Sequence, residues 1–302
     1  MAKRVGVIGL GIMGGAFAQN LVKAGWDVVG YDIDAARNRV ARKTGVETAA
    51  SVQALAQATK TIIISLPSPA ALEQTMMAIT QAQLSPRIVV EASTFGLGDK
   101  IKAERALRRH GHILLDCPVS GTGAQARVKD LVIYASGDTA AIRKLRPLFA
   151  AFSRAAHDLG AFGNGSRMKY VANLLVAIHN VASAEAMVLG LKAGLDPQTV
   201  FDMVRTGAGN SRVFELRAPM MVQDRYDKAT MKISIWQKDM AVIGEFAREL
   251  RCPTPLFDAT VPVYDEALKS DLGEQDTAAV CAVLEKKAGL KRQRKRENPR
   301  AP

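Results

Sequence analysis

The sequence is poor in the side chains that build metal centres and disulfide frameworks. It has three cysteines and four histidines in 302 residues. Cys117, Cys252 and Cys281 show no metal-ligand spacing and suit a reduced cytoplasm, the expected location. His110, His112, His157 and His179 share no common spacing with Asp, Cys or Glu, so no metal site is expected. Ser120 lacks a GxSxG elbow, which argues against a nucleophilic serine. Long uninterrupted apolar runs are missing as well. The most apolar stretch, Val171 to Leu191, is broken by Asn173, His179, Asn180, Ser183 and Glu185, each of which would need a partner inside a bilayer. No membrane span is expected. No signal peptide is expected either, because the basic start runs through a short apolar segment directly into a glycine motif.

Acidic residues are in deficit, 29 against 41 basic ones, for a formal charge of +12. The excess is uneven. Residues 286–302 hold eight basic side chains against Glu297 alone, a local +7 that leaves only +5 for the rest of the chain. This basic tail is expected to be disordered and to touch polyanions weakly. The remaining body is mildly basic, and nucleic-acid binding is not its expected function.

What is present is a length that favours two domains and a clear first half. The β-branched run Arg4 to Ile8 enters GLGIMG, a GxGxxG motif over Gly9, Gly11 and Gly14, followed by a helical stretch and a second strand, Asp27 to Tyr31. Gly9 permits the tight turn, Gly11 lets the backbone approach a pyrophosphate, and Gly14 allows close helix–strand packing. A strand before the glycines and a helix after them is the context a dinucleotide site requires. Asp32 closes the second strand, where a carboxylate can accept from ribose hydroxyls and repel a 2′-phosphate. The simple reading is NAD, with NADP left open by Arg37 and Arg39 in the next helix. Further strands at 61–66, 87–91, 112–116, 131–135 and 153–159 alternate with helices, which predicts a doubly wound, mostly parallel sheet. Ligands on such sheets lie outside the carboxyl ends of the strands. Leu66 and Pro67, Ser93 and Thr94, and the segment DCPVSG all fall at such ends.

From Gly163 to Leu191 one long helix is predicted, capped by Asn164 or Ser166 and stopped at Gly194. It is roughly 42 Å long at about 1.5 Å per residue, enough to link two domains. Its apolar residues Met168, Val171, Leu174, Leu175, Ile178, Val181, Ala182 and Leu189 spread widely in angle, which predicts burial by more than one neighbour. Lys169 and Asn173 stand four apart on one face. Beyond this helix only helical patterns recur, around 197–205, 212–222, 232–250 and 255–269, with Trp236 and Phe214 expected in the core. The expected division is a Rossmann domain over 1–164, a helical domain over 165–285, and the tail.

Four segments together resemble the β-hydroxyacid dehydrogenase family, which includes 3-hydroxyisobutyrate dehydrogenases and tartronate semialdehyde reductases. GLGIMG is similar to its cofactor motif and DCPVSG to its substrate-binding motif. In GNGSRMKYVAN, Lys169 matches the catalytic lysine and Asn173 the substrate-binding asparagine. KDM, Lys238 to Met240, resembles the Lys-Asp motif beside the cofactor. The resemblance covers about residues 3 to 285 and implies a Rossmann domain followed by an all-α domain, assembled as a homodimer or homotetramer. It implies that Gly9, Gly11, Ile12, Met13, Gly14, Asp32, Leu66, Pro67, Ser93, Thr94 and Lys238 hold the cofactor. Ser120, Gly121, Thr122 and Asn173 would hold the substrate, a small hydroxyacid or semialdehyde. Three departures stand out: Thr122 and Lys129 occupy usual glycine positions, and Ala172 replaces the first of two adjacent asparagines.

The chemistry agrees with that placement. Reducing an aldehyde needs a hydride from nicotinamide C4 and a proton for the developing alkoxide. Lys169 can supply the proton and, in oxidation, accept it. Its ordinary pKa of about 10.4 must then fall toward neutrality through desolvation and the charge of oxidised nicotinamide. Asn173 can orient the substrate hydroxyl. Ser120, with the amides of Gly121 and Thr122, can form an anion nest for a carboxylate. Two other readings compete. An imine reductase-like enzyme on the same fold usually lacks a lysine here. A non-catalytic polyanion-binding protein would have no use for the Lys169–Asn173 pair.

Overall fold

The computed structural model describes residues 3–292. The chain divides into two compact units, the first ending at Ala172 and the second beginning at Asn173. The division falls inside the long helix rather than at its start near residue 164.

In the first unit, β1 (Arg4–Ile8), β2 (Asp27–Tyr31), β3 (Glu47–Thr48), β4 (Thr61–Ile64), β5 (Ile88–Glu91) and β6 (Ile113–Asp116) form a six-stranded sheet in the order β3-β2-β1-β4-β5-β6. Every pairing in it is parallel. The strands are β-branched runs buried on both faces. Ile63, Val90 and Leu115 join one core cluster, while their neighbours Ile62, Val89 and Leu114 join the other. That period-two alternation with both faces apolar is what a doubly wound sheet demands. Helices α1 (Ile12–Lys23), α2 (Ala35–Arg42), α3 (Val52–Ala58), α4 (Pro69–Gln81) and α5 (Leu97–Arg109) connect the strands. The strand order reverses between β1 and β4, which makes the crevice beside β1 the natural ligand position.

The later strands of this unit do not extend the large sheet. β7 (Val119–Ser120), β8 (Val132–Ala135) and β9 (Ala155–Asp158) form a separate three-stranded sheet, with β7 antiparallel to β8 and β8 parallel to β9. Two helices lie between them, the short α6 (Gly123–Arg127) after β7 and the longer α7 (Thr139–Phe152) after β8.

Helix α8 runs over Asn164–Lys192, 29 residues. By length and composition it is apolar enough to cross a membrane. Yet Asn173 and Asn180 are buried on it and donate to Asp239, to Tyr264 and to the Thr277 carbonyl, so it is a core helix. Its apolar residues are not all covered as the pattern predicts. Met168, Val171, Leu175 and Leu189 are 37%, 52%, 47% and 73% exposed. Their spacing leaves one stripe of the helix open.

The second unit continues with α9 (Pro197–Val204), α10 (Arg212–Gln223), α11 (Ile233–Glu249), α12 (Pro255–Lys269), a 3₁₀ turn at Thr277–Ala279 and α13 (Val280–Lys287). Phe214, Trp236, Phe257 and Tyr264 are buried at its centre. The expected disordered tail needs correction at its start. Lys286 and Lys287 complete α13, and Arg292 pairs with the buried Glu285 and donates to the Met221 and Val222 carbonyls at the end of α10. Residues 293–302 of the tail lie outside the described residues.

Candidate active site

The glycine loop sits at the carboxyl end of β1. Gly9 has φ +85, in the left-handed region that favours glycine, and a Cβ on Gly14 would stand 1.8 Å from the Gly9 carbonyl oxygen. The loop is therefore closed against the start of α1 to a degree that only glycine permits. Gly11 is the N-cap of α1 and gives its first turn no side-chain hydrogen bond. The first-turn amides at Ile12, Met13 and Gly14 thus carry the positive end of the helix dipole without a side-chain cap, which fits a pyrophosphate. Asp32, 6% exposed, lies at the end of β2 and ties the loop together. It accepts from the Leu10 amide at 2.7 Å and the Asp34 amide at 2.9 Å, and Arg37 Nη1 lies 3.4 Å away. Three of its lone-pair positions are engaged, so its role in shaping the loop comes in addition to any ribose contact.

The next strand ends are joined by one bond. The Leu66 amide, beside Pro67 after β4, donates to Ser93 Oγ after β5 at 2.9 Å. Ser93 and Thr94 follow β5, whose last residue Glu91 accepts from the Ser93 amide. Gly9 to Gly14, Asp32, Leu66, Pro67, Ser93 and Thr94 thus share the carboxyl edge of one parallel sheet.

The DCPVSG segment leads from β6 into β7. Ser120 is half-buried and Gly121 follows with φ +136. The expected three-membered nest is altered here. The Thr122 amide donates to Gln125 Oε1 at 3.0 Å, and Gln125 Nε2 in turn donates to Asp130. A glycine at 122 would leave the amide similarly placed, but here Gln125 occupies it, which leaves Ser120 and the Gly121 amide of the expected nest. Lys129, the other departure at a usual glycine position, adopts φ +62. Cys117 is fully buried beneath this segment, and burial pushes its thiol well above the usual range.

Lys169 stands in the second turn of α8 and is 8% exposed. It does not snorkel to solvent. Asn173, one turn later and 5% exposed, donates through Nδ2 to Asp239 Oδ2 at 2.9 Å. Asp239 lies on α11 beside Lys238, whose Nζ is 3.6 Å from Asp239 Oδ1. The Lys-Asp dipeptide therefore orients Asn173. No group of three metal-binding side chains stands together among the described residues.

Neither Asn164 nor Ser166 caps α8 as expected. The cap comes from β6: Asp116 Oδ2 accepts from the Ser166 amide at 2.7 Å, and Asp116 Oδ1 from Ser166 Oγ at 2.8 Å. Asp116 is itself held by Lys100, whose Nζ also lies 2.7 Å from Glu91. All three are fully buried. No local pattern marks these residues, because the capping pair is 50 positions apart in sequence.

Comparison with known proteins agrees with this geometry. Residues 4–163 match the NAD-binding domain of 6-phosphogluconate dehydrogenase, and residues 163–284 match the NAD-binding region of NADP-dependent 3-hydroxyisobutyrate dehydrogenase. An L-threonate dehydrogenase of Cupriavidus necator is 31% identical over 94% of this chain and 97% of its own length. The crystal structure of a Salmonella typhimurium 3-hydroxyisobutyrate dehydrogenase superposes with a TM-score of 0.83 at 29% identity, covering 93% of this chain and 99% of that one. An imine reductase from Myxococcus stipitatus is more distant, with a TM-score of 0.63 at 17% identity over 94% of this chain and 100% of its own, and shares the fold alone. The chain thus belongs to the β-hydroxyacid dehydrogenase family and is an NAD(P)-dependent hydroxyacid dehydrogenase.

Proposed function

We propose that the enzyme transfers a hydride reversibly between its nicotinamide cofactor and a short 3-hydroxy acid or the corresponding semialdehyde, with Lys169 as general acid and base. The burial of Lys169 on α8, one turn before an asparagine fixed by Asp239, carries this reading. A surface lysine would keep its ammonium in water. A buried one is placed to give its proton to an alkoxide and to take it back in oxidation. Asn173 orients the substrate hydroxyl. Ser120 and the Gly121 amide bind the carboxylate, and Thr122 closes that side of the loop through Gln125.

The cofactor supplies the hydride. Gly9, Gly11, Ile12, Met13 and Gly14 hold its pyrophosphate, Asp32 its adenosine ribose, and Leu66, Pro67, Ser93 and Thr94 line its course along the strand ends. Lys238 adds positive charge near it. The carboxylate of Asp32 favours NAD over NADP. The three cysteines are unpaired, in keeping with a cytoplasmic protein. The open apolar stripe of α8 at Met168, Val171, Leu175 and Leu189 supports a homodimer or homotetramer.

The test is a coupled NAD(H) and NADP(H) assay over short 3-hydroxy acids, their semialdehydes and L-threonate, with cyclic imines and amines as controls. Turnover of a hydroxyacid and none of the amines is the expected result. Turnover of imines alone would overturn it.

A further inference from the structure

Three polar contacts fix the first turns of α8 to the rest of the first unit. The amides of Gly165 and Ser166 are among the donors left without partners at any helix start. The first donates to Ser136 Oγ at 2.9 Å and the second to Asp116 Oδ2 at 2.7 Å. Tyr170, next to Lys169, donates its hydroxyl to the Phe95 carbonyl at 2.5 Å. The backbone itself is in close contact: a Cβ on Gly165 would stand 2.3 Å from the Tyr134 carbonyl oxygen and 2.6 Å from that of Asp116. The start of α8 therefore rests directly on the ends of β6 and β8.

Asp116 is the charged member of this seat. It receives Ser166 N, Ser166 Oγ, Ser136 Oγ and Lys100 Nζ. These four donors converge on its two oxygens at the N-terminal end of α8 and fix the carboxylate in place. Lys100 is the cation of the cluster. Burial alone would lower its ammonium, yet Asp116 and Glu91 beside it more than offset that and hold it above the usual lysine range. A buried lysine between two carboxylates is weak evidence for stability, since apolar residues of similar volume often serve as well. What the cluster supplies is a fixed position.

We propose that Asp116, held in place by Lys100 and Glu91, is a positioning residue for Lys169: it caps the first turn of α8 and sets where that helix places the lysine three residues on. This rests on Lys169 being the acid and base. Lys169 lies only about 4.5 Å of helix rise beyond Ser166, so a shift of the first turn carries the ammonium with it. A displacement of about 1 Å at a reacting group costs on the order of 10²-fold in rate. Asp116 touches neither the glycine loop nor Asp32 among its hydrogen-bond partners; its one link toward the cofactor side is Lys100, whose Nζ also donates to the Ser93 carbonyl at 2.7 Å.

The test is a double-mutant cycle between Asp116→Asn and Lys169→Met in the full-length enzyme, with NADH affinity measured by fluorescence titration beside kcat. Asparagine keeps the shape but turns an amide group toward Lys100 or toward the Ser166 donors. Asp116→Asn should lower kcat about 10- to 100-fold and change the NADH Kd by less than that, since its one link toward the cofactor side runs through Lys100 to the Ser93 carbonyl. In the Lys169→Met background the same change should alter the residual rate less than about twofold, because non-additivity marks residues acting through one another. Ser166→Ala removes one donor and no charge, and should lower kcat about 3- to 10-fold. An equal loss from Asp116→Asn in both backgrounds would overturn the proposal, as would wild-type kcat in folded Asp116→Asn. If Asp116→Asn does not fold, wild-type kcat in Ser166→Ala overturns it. Near-normal kcat in Lys169→Met would remove the acid–base reading first and this inference with it, an outcome distinct from the others.

Discussion

Asn173 Nδ2 donates to Asp239 Oδ2 at 2.9 Å. With its oxygen as acceptor, Asp239 fixes the asparagine with its NH₂ toward α11 and leaves the amide oxygen to face elsewhere. That oxygen is the atom suited to accept a bond from a substrate hydroxyl. Asn173→Ala should raise the substrate KM and lower kcat together, because orientation is lost in both ground and transition states. Asp239→Asn should lower kcat about tenfold, since the two amides can then pair in either sense. Steady-state kinetics with the best substrate decide it. A wild-type KM in Asn173→Ala would remove Asn173 from the substrate.

Cofactor choice turns on Asp32, which is nearly buried at the end of β2 and bonded to the Leu10 amide. NAD(H) should give the higher kcat/KM. Asp32→Ala should narrow the gap to NADP(H) by about tenfold, the value of one hydrogen bond to a charged group, and should weaken both cofactors somewhat because the glycine loop loses its anchor. A wild-type enzyme that prefers NADPH tenfold would contradict this.

Lys129 holds a left-handed backbone at φ +62 without glycine's freedom. The conformation costs a lysine about 1–2 kcal/mol, and glycine's greater unfolded entropy returns about 0.4–1 kcal/mol of that. Lys129→Gly should therefore raise stability by roughly 0.5–1 kcal/mol in urea denaturation, with kcat unchanged. Destabilisation would show that its side chain makes a contribution larger than the backbone penalty.

Acid should weaken the fold partly through His112. This residue is buried, and its Nδ1 accepts from the Arg87 amide at 3.1 Å. Burial, then the charge of Arg87, lowers its pKa below the ordinary 6.5. The unfolded chain then takes up a proton near pH 6.5 that the native state refuses. The stability due to neutral His112 is full above that pH and is lost as pH falls through the depressed native value. His112→Asn keeps an acceptor for Arg87 and should flatten the fall in urea midpoint between pH 7 and 5. An unchanged slope would assign the acid sensitivity to other groups.

The large sheet was legible because its strands are β-branched runs of a length that only a doubly wound core can bury, and the glycines lie where β1 meets α1. The short elements were not. Glu47–Thr48 has two residues, and only pairing with β2 makes it a strand. The second sheet was missed because strand periodicity says which segments are extended but not which partner each one finds. Within the site, the glycine loop could be read from local spacing, whereas spacing only put Lys169 and Asn173 on one face and the family resemblance gave them their roles. Lys100 could not. In LGDKIKAERALRR it looks like Lys102, yet Lys102 is exposed and Lys100 is fully buried between two carboxylates. Such a pairing is made by strands brought together in the fold, and nothing near Lys100 in sequence announces it.

The most direct test of the proposed chemistry is the kcat of Lys169→Met, read only after NADH binding has been measured in the same protein. Methionine keeps the unbranched stem that packs on α8 and removes the ammonium. NADH affinity should stay near wild type while kcat falls by about 10² to 10⁴. A folded Lys169→Met enzyme that binds NADH and turns over at close to the wild-type rate would contradict the assignment of Lys169 as the acid and base.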